Sequence, residues 1–262
     1  MRLYQKLKSL LENSRLESAK RGFVCDFCGT EIFDYPHRFL CEDCERRIER
    51  NDNHTCEKCG RKTVQDGVCT RCKAVPPNFS KGKSVYVYTG ITTSIINRFK
   101  HYSRELSYAL SKELSLEIFK QANRLYETQT ELNRAEFYRQ FLIVPVPMFR
   151  DRQAERGYNQ AAELGKAIAK RTGFAFDDEL LIKTRETGAL KEKDARARGE
   201  EIRGAFRVVK RKKCRERYII LVDDVMTSGT TGSECARLLF GAGAKDVYFF
   251  TIAALADELR YE

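Results

Sequence analysis

The strongest constraint in this sequence is the placement of its cysteines. Eight of the ten fall between residues 25 and 72 as four C-x-x-C pairs: Cys25/Cys28, Cys41/Cys44, Cys56/Cys59 and Cys69/Cys72. Two residues between cysteines let both sulfurs reach one tetrahedral zinc ion at about 2.3 Å, so four pairs specify two sites of four thiolates each. Taken in order, Cys25, Cys28, Cys41 and Cys44 form one site and Cys56, Cys59, Cys69 and Cys72 the other. The intervening 12 and 9 residues fit a ribbon in this order, and an interleaved arrangement, first pair with third, is the alternative that spacing leaves open. Closed all-thiolate sites leave no position for a catalytic water, which makes them structural. The segment also repeats itself: Cys25-Asp-Phe-Cys28-Gly29 resembles Cys56-Glu-Lys-Cys59-Gly60. Glycine after the pair allows the positive φ that turns backbone amides toward the sulfurs. Each half therefore reads as one two-knuckle ribbon. His37 and His54 lie nearby, but eight thiolates already saturate two ions.

The cysteine-rich stretch defines a domain plan: an amphipathic, charged segment over 1–22, a double zinc ribbon over 23–75, a Pro-containing linker over 76–84 and an α/β domain over 85–262. The first segment lacks the apolar run of a secretory signal. The most apolar stretches, 141–149 and 247–256, are too short to span a bilayer. The expectation is a cytoplasmic protein without membrane insertion, in which cysteines bind metal rather than pair as disulfides. Lys and Arg outnumber Asp and Glu, 48 to 37, for a formal charge of +11. Eight thiolates and two zinc ions together remove four charges, leaving +7, which favours anionic ligands on the α/β domain.

Within 85–262, strands are expected at 85–88, 141–146, 206–209, 218–222 and 247–253. Helices are expected at 159–171 and 231–240, with a short one at 42–50 in the ribbon. Strands alternating with helices imply a mostly parallel sheet. The polar stretch 184–203 reads as a long mobile loop. Of the two remaining cysteines, Cys235 fits a helix core and Cys214 an exposed thiol.

The sharpest motif is Ile219-Ile220-Leu221-Val222-Asp223-Asp224-Val225-Met226-Thr227-Ser228-Gly229-Thr230-Thr231. A buried strand delivers two adjacent carboxylates, and a loop of hydroxyls and glycine then opens a helix. Amides at a helix N-terminus bind phosphate through aligned donors. Carboxylates repel phosphate, so Asp223 and Asp224 suit neighbouring ribose hydroxyls or a magnesium ion with its waters. Met226, Thr227, Ser228, Gly229, Thr230 and Thr231 surround the phosphate. The combination describes a ribose 5-phosphate site.

This segment resembles the phosphoribosyl pyrophosphate (PRPP) signature of type I phosphoribosyltransferases. A second segment, Val144-Pro145-Val146-Pro147-Met148-Phe149-Arg150, then Arg152, then Glu155-Arg156-Gly157-Tyr158-Asn159-Gln160-Ala161, resembles the hallmark of the ComF family. Thr184-Arg185 with Thr187, Arg203-Gly204-Ala205-Phe206 and Arg98-Phe99-Lys100 extend the resemblance over most of the chain. The resemblance implies N-terminal zinc ribbons joined to a phosphoribosyltransferase-like sheet. It also implies magnesium carried with PRPP, and Met148, Phe149, Arg150 and Arg152 around the pyrophosphate. Asp223 and Asp224 would act at the reacting ribose, and Lys191, Lys193, Arg196 and Arg198 would lie on a mobile hood.

Arg207, Lys210, Arg211, Lys212, Lys213 and Arg215 crowd one expected turn, a density suited to a phosphate backbone without base readout. A solvated charged turn would look the same. ComF resemblance implies a role in uptake of single-stranded DNA during natural transformation, beside a competence helicase at the inner face of the cytoplasmic membrane. The alternative is a working phosphoribosyltransferase that releases pyrophosphate to an unidentified acceptor in nucleotide salvage. Glutamine-fed transfer is set aside, because the chain has no N-terminal nucleophilic cysteine.

Overall fold

The computed structural model describes residues 24–25, 27–32, 40–101, 103–128, 132–187 and 201–257. The segment 1–22, His37 and the four hood cations lie outside the described residues. The first half contains α1 (Glu42–Arg46), α2 (Thr70–Ala74), β1 (Lys81–Val87), α3 (Gly90–His101), α4 (Leu106–Glu127), α5 (Arg134–Tyr138) and β2 (Phe141–Pro145). There follow α6 (Arg150–Arg156), α7 (Gln160–Thr172), β3 (Ala175–Phe176), β4 (Leu181–Lys183) and β5 (Phe206–Val208). The chain then forms α8 (Arg211–Cys214), β6 (Tyr218–Met226), α9 (Thr230–Gly241) and β7 (Asp246–Ala254).

Side chains that alternate along apolar strands bury both faces of one sheet. Tyr218, Ile220 and Val222 of β6 join Tyr248 and Phe250 of β7 against α3, α4 and α7. Ile219, Leu221, Val247 and Phe249 face the other way, toward α9 and β5. Such near-continuous apolar strands belong to a parallel sheet covered on both sides. The strand order is β1-β7-β6-β2-β3, and every pairing in this sheet is parallel. β4 and β5 form a separate antiparallel pair. Local signals set the helix ends: the Asn159 side chain accepts from Ala161 N to cap α7, and Gly173 closes it at φ +73°.

The two cysteine sets straddle the β1 edge of the sheet. Cys25 and Cys44 pack into the α3–α4 side of the core. Cys56, Cys59, Cys69 and Cys72 pack into the α9 side. Between them, residues 49–51 run antiparallel along β1: Asn51 N donates to Val85 O and Val87 N to Glu49 O, both at 2.9 Å. The edge strand is thereby covered.

Several expectations change. The linker expected at 76–84 is not free, because β1 begins at Lys81 and Phe79 is fully buried with its ring 5.3 Å from that of Phe249. Helix α1 stops at Arg46 rather than at residue 50. Strand β6 continues past residue 222 to Met226, so both acids belong to the strand itself. Cys214 is not an exposed thiol: it is fully buried and donates to Leu239 O at 3.4 Å. Burial pushes its thiol up to about 11. Cys235 is fully buried in α9, as a helix core residue should be.

Candidate functional site

The two cysteine clusters have the connectivity read in order. Within each set of four, Cys25, Cys28, Cys41, Cys44 and Cys56, Cys59, Cys69, Cys72, the sulfurs lie within 4.8 Å of one another, which excludes the interleaved alternative. Four sulfurs about 2.3 Å from a tetrahedral centre stand about 3.8 Å apart. The Cys59–Cys69 and Cys28–Cys41 sulfur separations are 3.8 and 3.6 Å. Both sets therefore fit a zinc ion. Gly29 and Gly60 adopt φ of +77° and +69°. In the second ribbon the Cys59 and Cys69 amides donate to Cys56 Sγ at 3.4 and 3.3 Å. His54 pairs with Asp66 instead of turning to the sulfurs.

The second site forms at the C-terminal ends of β6 and β2. Register places Pro145 beside Val222, and Val146 N donates to Val222 O at 2.8 Å. The loop after β2 and the acids of β6 are therefore neighbours. Asp224 is 9% exposed and accepts Val225 N at 2.7 Å, while Asp223 accepts Asp224 N at 2.9 Å. Burial, and then the charge of Asp224, push the Asp223 carboxyl well above the usual carboxylate range. Gly229, at φ +83°, turns the chain from Met226, Thr227 and Ser228 into α9. Thr230 Oγ1 hydrogen-bonds Ser228 Oγ at 2.9 Å. Thr231 lies in the first turn of α9.

One cation at this site carried no assigned role from sequence. Lys100 Nζ lies 3.4 Å from Asp224 Oδ2. The Tyr158-Asn159-Gln160 segment holds it there. Tyr158 OH donates to Phe99 O, and Gln160 Nε2 donates to Lys100 O at 2.8 Å. Asn159 Nδ2 donates to Val146 O at 3.1 Å, which ties the same junction to the end of β2. The motif thus aims the end of α3 at the acid pair. The signal for Lys100 was the Arg98-Phe99-Lys100 segment, which gave no hint of its partner.

Around β2, Met148 and Phe149 are half-buried, and Arg150 opens the exposed α6. Arg152 pairs with Glu186 at 3.0 Å. The basic stretch is a β5–α8 unit rather than a loose turn. Lys213 and Lys210 lie 2.7 and 3.7 Å from the buried Asp177, and Lys210 also pairs with Glu179. Arg211 donates to Gly241 O. Arg207, Lys212 and Arg215 make no ion pair among the described residues. The six cations read from sequence as one surface therefore divide into neutralised and open members.

No family model matches the chain. It is 30% identical over 213 residues to the DNA utilization protein YhgH of Escherichia coli strain K12, covering 80% of this chain and 88% of the relative. The chain belongs to the ComF family. Competence protein ComFC of Bacillus subtilis is 26% identical over 225 residues, covering 83% of this chain and 85% of that one. Among solved structures, a hypoxanthine phosphoribosyltransferase from Staphylococcus aureus aligns with a TM-score of 0.35 at 13% identity, covering 62% of this chain and 82% of that one. A phosphoribosylpyrophosphate synthetase from Mycobacterium smegmatis aligns at 0.28 and 19%, over 51% of this chain and 32% of its own. At those scores neither bears on the site. This ComF chain has the parallel sheet flanked by helices, with cysteine clusters able to bind zinc, that the family resemblance implied. Among the described residues no helix is long and apolar enough to cross a membrane.

Proposed function

We propose that this ComF chain binds the ribose 5-phosphate part of PRPP and serves DNA uptake during natural transformation. The observation that carries the reading is the acid pair at the end of β6, held against Lys100 and followed directly by the Gly229 turn into α9. A 12-residue helix presents its N-terminal amides there to the 5′-phosphate. Asp223 and Asp224 accept the ribose hydroxyls. Met148, Phe149 and Arg150 line the neighbouring loop on the side where the diphosphate extends. The acid pair also fits a nearby dication, since a positive charge relieves the repulsion that raises Asp223. Magnesium, carried on the diphosphate, would neutralise the leaving group. Should transfer occur, this chain's residues position the ribose and exclude water, and Lys100, 3.4 Å from Asp224, holds that side chain beside the developing positive charge.

The names of the relatives, a DNA utilization protein and a competence protein, support the DNA-uptake part of the reading. Arg207, Lys212 and Arg215 are the cations open to a DNA backbone, and a cytoplasmic competence helicase is the partner that would deliver the strand. The test is calorimetry with PRPP and magnesium on wild type and on Asp223→Asn/Asp224→Asn, with zinc content measured in parallel. Binding lost in the double variant at unchanged zinc supports the ribose assignment, and equal affinity removes it. Labelled PRPP, with and without single-stranded DNA or small acceptors, then separates a binding protein from a transferase by pyrophosphate release.

A further inference from the structure

Arg61 is the largest fully buried side chain among the described residues, at 1% exposure. Its guanidinium makes three contacts, each to a different part of the chain. Nε donates to Cys59 Sγ of the second cluster at 3.2 Å. Nη2 donates to the Thr227 carbonyl at 3.1 Å, at the start of the Gly229 turn. Nη1 donates to the Leu255 carbonyl at 3.1 Å, just past the end of β7. Neither carbonyl carries a charge. A buried guanidinium without an anion is strongly unfavourable. Four thiolates around Zn²⁺ carry a net charge of −2, and Cys59 is one of them. The anion that lets Arg61 stay buried is therefore the loaded metal site itself.

This makes Arg61 a strut between metal and loop. A cavity of about 280 Å³ lies beside it, lined by Cys59, Arg71, Phe79, Ser228, Gly229 and Thr230 among others. The loop consequently has room to move on this side once the strut is gone. Asp257 fastens the same ribbon independently of Arg61, accepting from Thr70 N and Thr70 Oγ1 at 2.8 and 2.9 Å. The ribbon stays docked without Arg61, while the Thr227 carbonyl has no other donor among the described residues.

We infer that Arg61 is a positioning residue: charge on the second zinc–thiolate cluster holds it buried, and it fixes the 227–231 loop for a phosphate ligand. The ligand half of this inference rests on the ribose-phosphate reading, whereas the strut itself does not. The experiment compares wild type, Arg61→Met and Arg61→Lys, all checked for two bound zinc ions per chain. Amide exchange over 227–231 is measured without ligand. The expectation is exchange roughly tenfold faster in Arg61→Met, with Arg61→Lys intermediate and the 218–222 segment unchanged. Unchanged exchange in a zinc-loaded Arg61→Met protein overturns the strut.

The second readout is the thiolate-to-cobalt absorption of Co²⁺-substituted protein. Adding PRPP with magnesium is expected to shift this band in wild type, because the loop and Cys59 share one guanidinium, and to leave it still in Arg61→Met. A band in wild type that ignores bound PRPP overturns the coupling, and this measurement stands even where both variants fail to fold. If wild type does not bind PRPP at all, the ribose-phosphate reading falls, and the exchange result alone decides the strut.

Discussion

Replacing Gly82 with alanine separates a docked ribbon from a tethered one by the sign of its effect. Gly82 lies inside β1, and a Cβ built on it sits 2.6 Å from the Cys59 carbonyl oxygen and 3.0 Å from the Cys59 carbonyl carbon. Both atoms are backbone and cannot rotate away. To reach ordinary contact the second ribbon must recede from β1 by about 0.8 Å. That movement stretches the bond from Gly82 N to Lys58 O, now 2.8 Å. It also strains the buried Asn51 amide, which donates to Gly60 O at 2.6 Å and Ser84 O at 3.1 Å. Each lost bond costs about 1 kcal/mol net, and more where a buried donor is left unpaired. Overpacking adds roughly 1–3 kcal/mol. The expected destabilisation is about 2–4 kcal/mol, or a fall of roughly 5–15 °C in Tm for a domain of this size. Without the ribbon against it, alanine in a strand gains about 0.5–1 kcal/mol over glycine. Calorimetric melting of the zinc-loaded protein, with metal content confirmed, reads the sign directly. A higher Tm would falsify the docking geometry.

Two further outcomes follow from the charged groups. Asp223→Asn should raise the Tm by an amount equivalent to about 0.5–2 kcal/mol at neutral pH while weakening PRPP binding, as expected when a strained site residue is relaxed. The sign follows from its raised folded-state pKa: the contribution of Asp223 to stability is fully present below the ordinary carboxylate pKa of about 4 and is lost as pH rises through the folded value. A melt in which Asn lowers Tm at pH 7 would contradict this. Asp177 behaves in the opposite way. Burial pushes its carboxyl up, but the Lys213 hydrogen bond, the Glu179 amide and the Lys210 charge together hold it below the usual range. Its contribution is present above about pH 4 and disappears on acidification through the folded pKa. Lys213→Ala should therefore cost about 1–3 kcal/mol at pH 7 and much less at pH 3 in urea titrations. For DNA, replacing Arg207, Lys212 and Arg215 together should reduce the salt slope of single-strand binding by about 2, whereas Lys210→Ala should barely change it. Equal slopes would place the strand elsewhere.

Composition and spacing alone determined the chemistry that depends on neighbours in the chain. Four C-x-x-C pairs define two tetrahedral metal sites, because two intervening residues suffice to bring the sulfurs of each pair together. Alternating apolar residues around Ile219–Val222 define a strand buried on both faces, and a glycine after two acids and a hydroxyl-rich stretch defines a turn into a helix. Each of these is set within about a dozen residues. What lies between distant segments was not legible. Lys100 meets Asp224 across 124 positions only because Tyr158 and Gln160 pin the end of α3. Lys210 and Lys213 look like open cations in sequence and are neutralised by Asp177, which the topology brings beneath them. The run 76–84 has the composition of a linker, yet Phe79 is fully buried because the second ribbon seals one face of the β1 edge. Arg61 is one more cation in a basic chain until the fold removes water from around it. Its charge then needs the metal cluster, and its remaining hydrogen bonds go to the loop that would hold the phosphate. Local spacing fixes which atoms can share a ligand. Only tertiary packing decides which charges are desolvated, and desolvation gives a charge its partner.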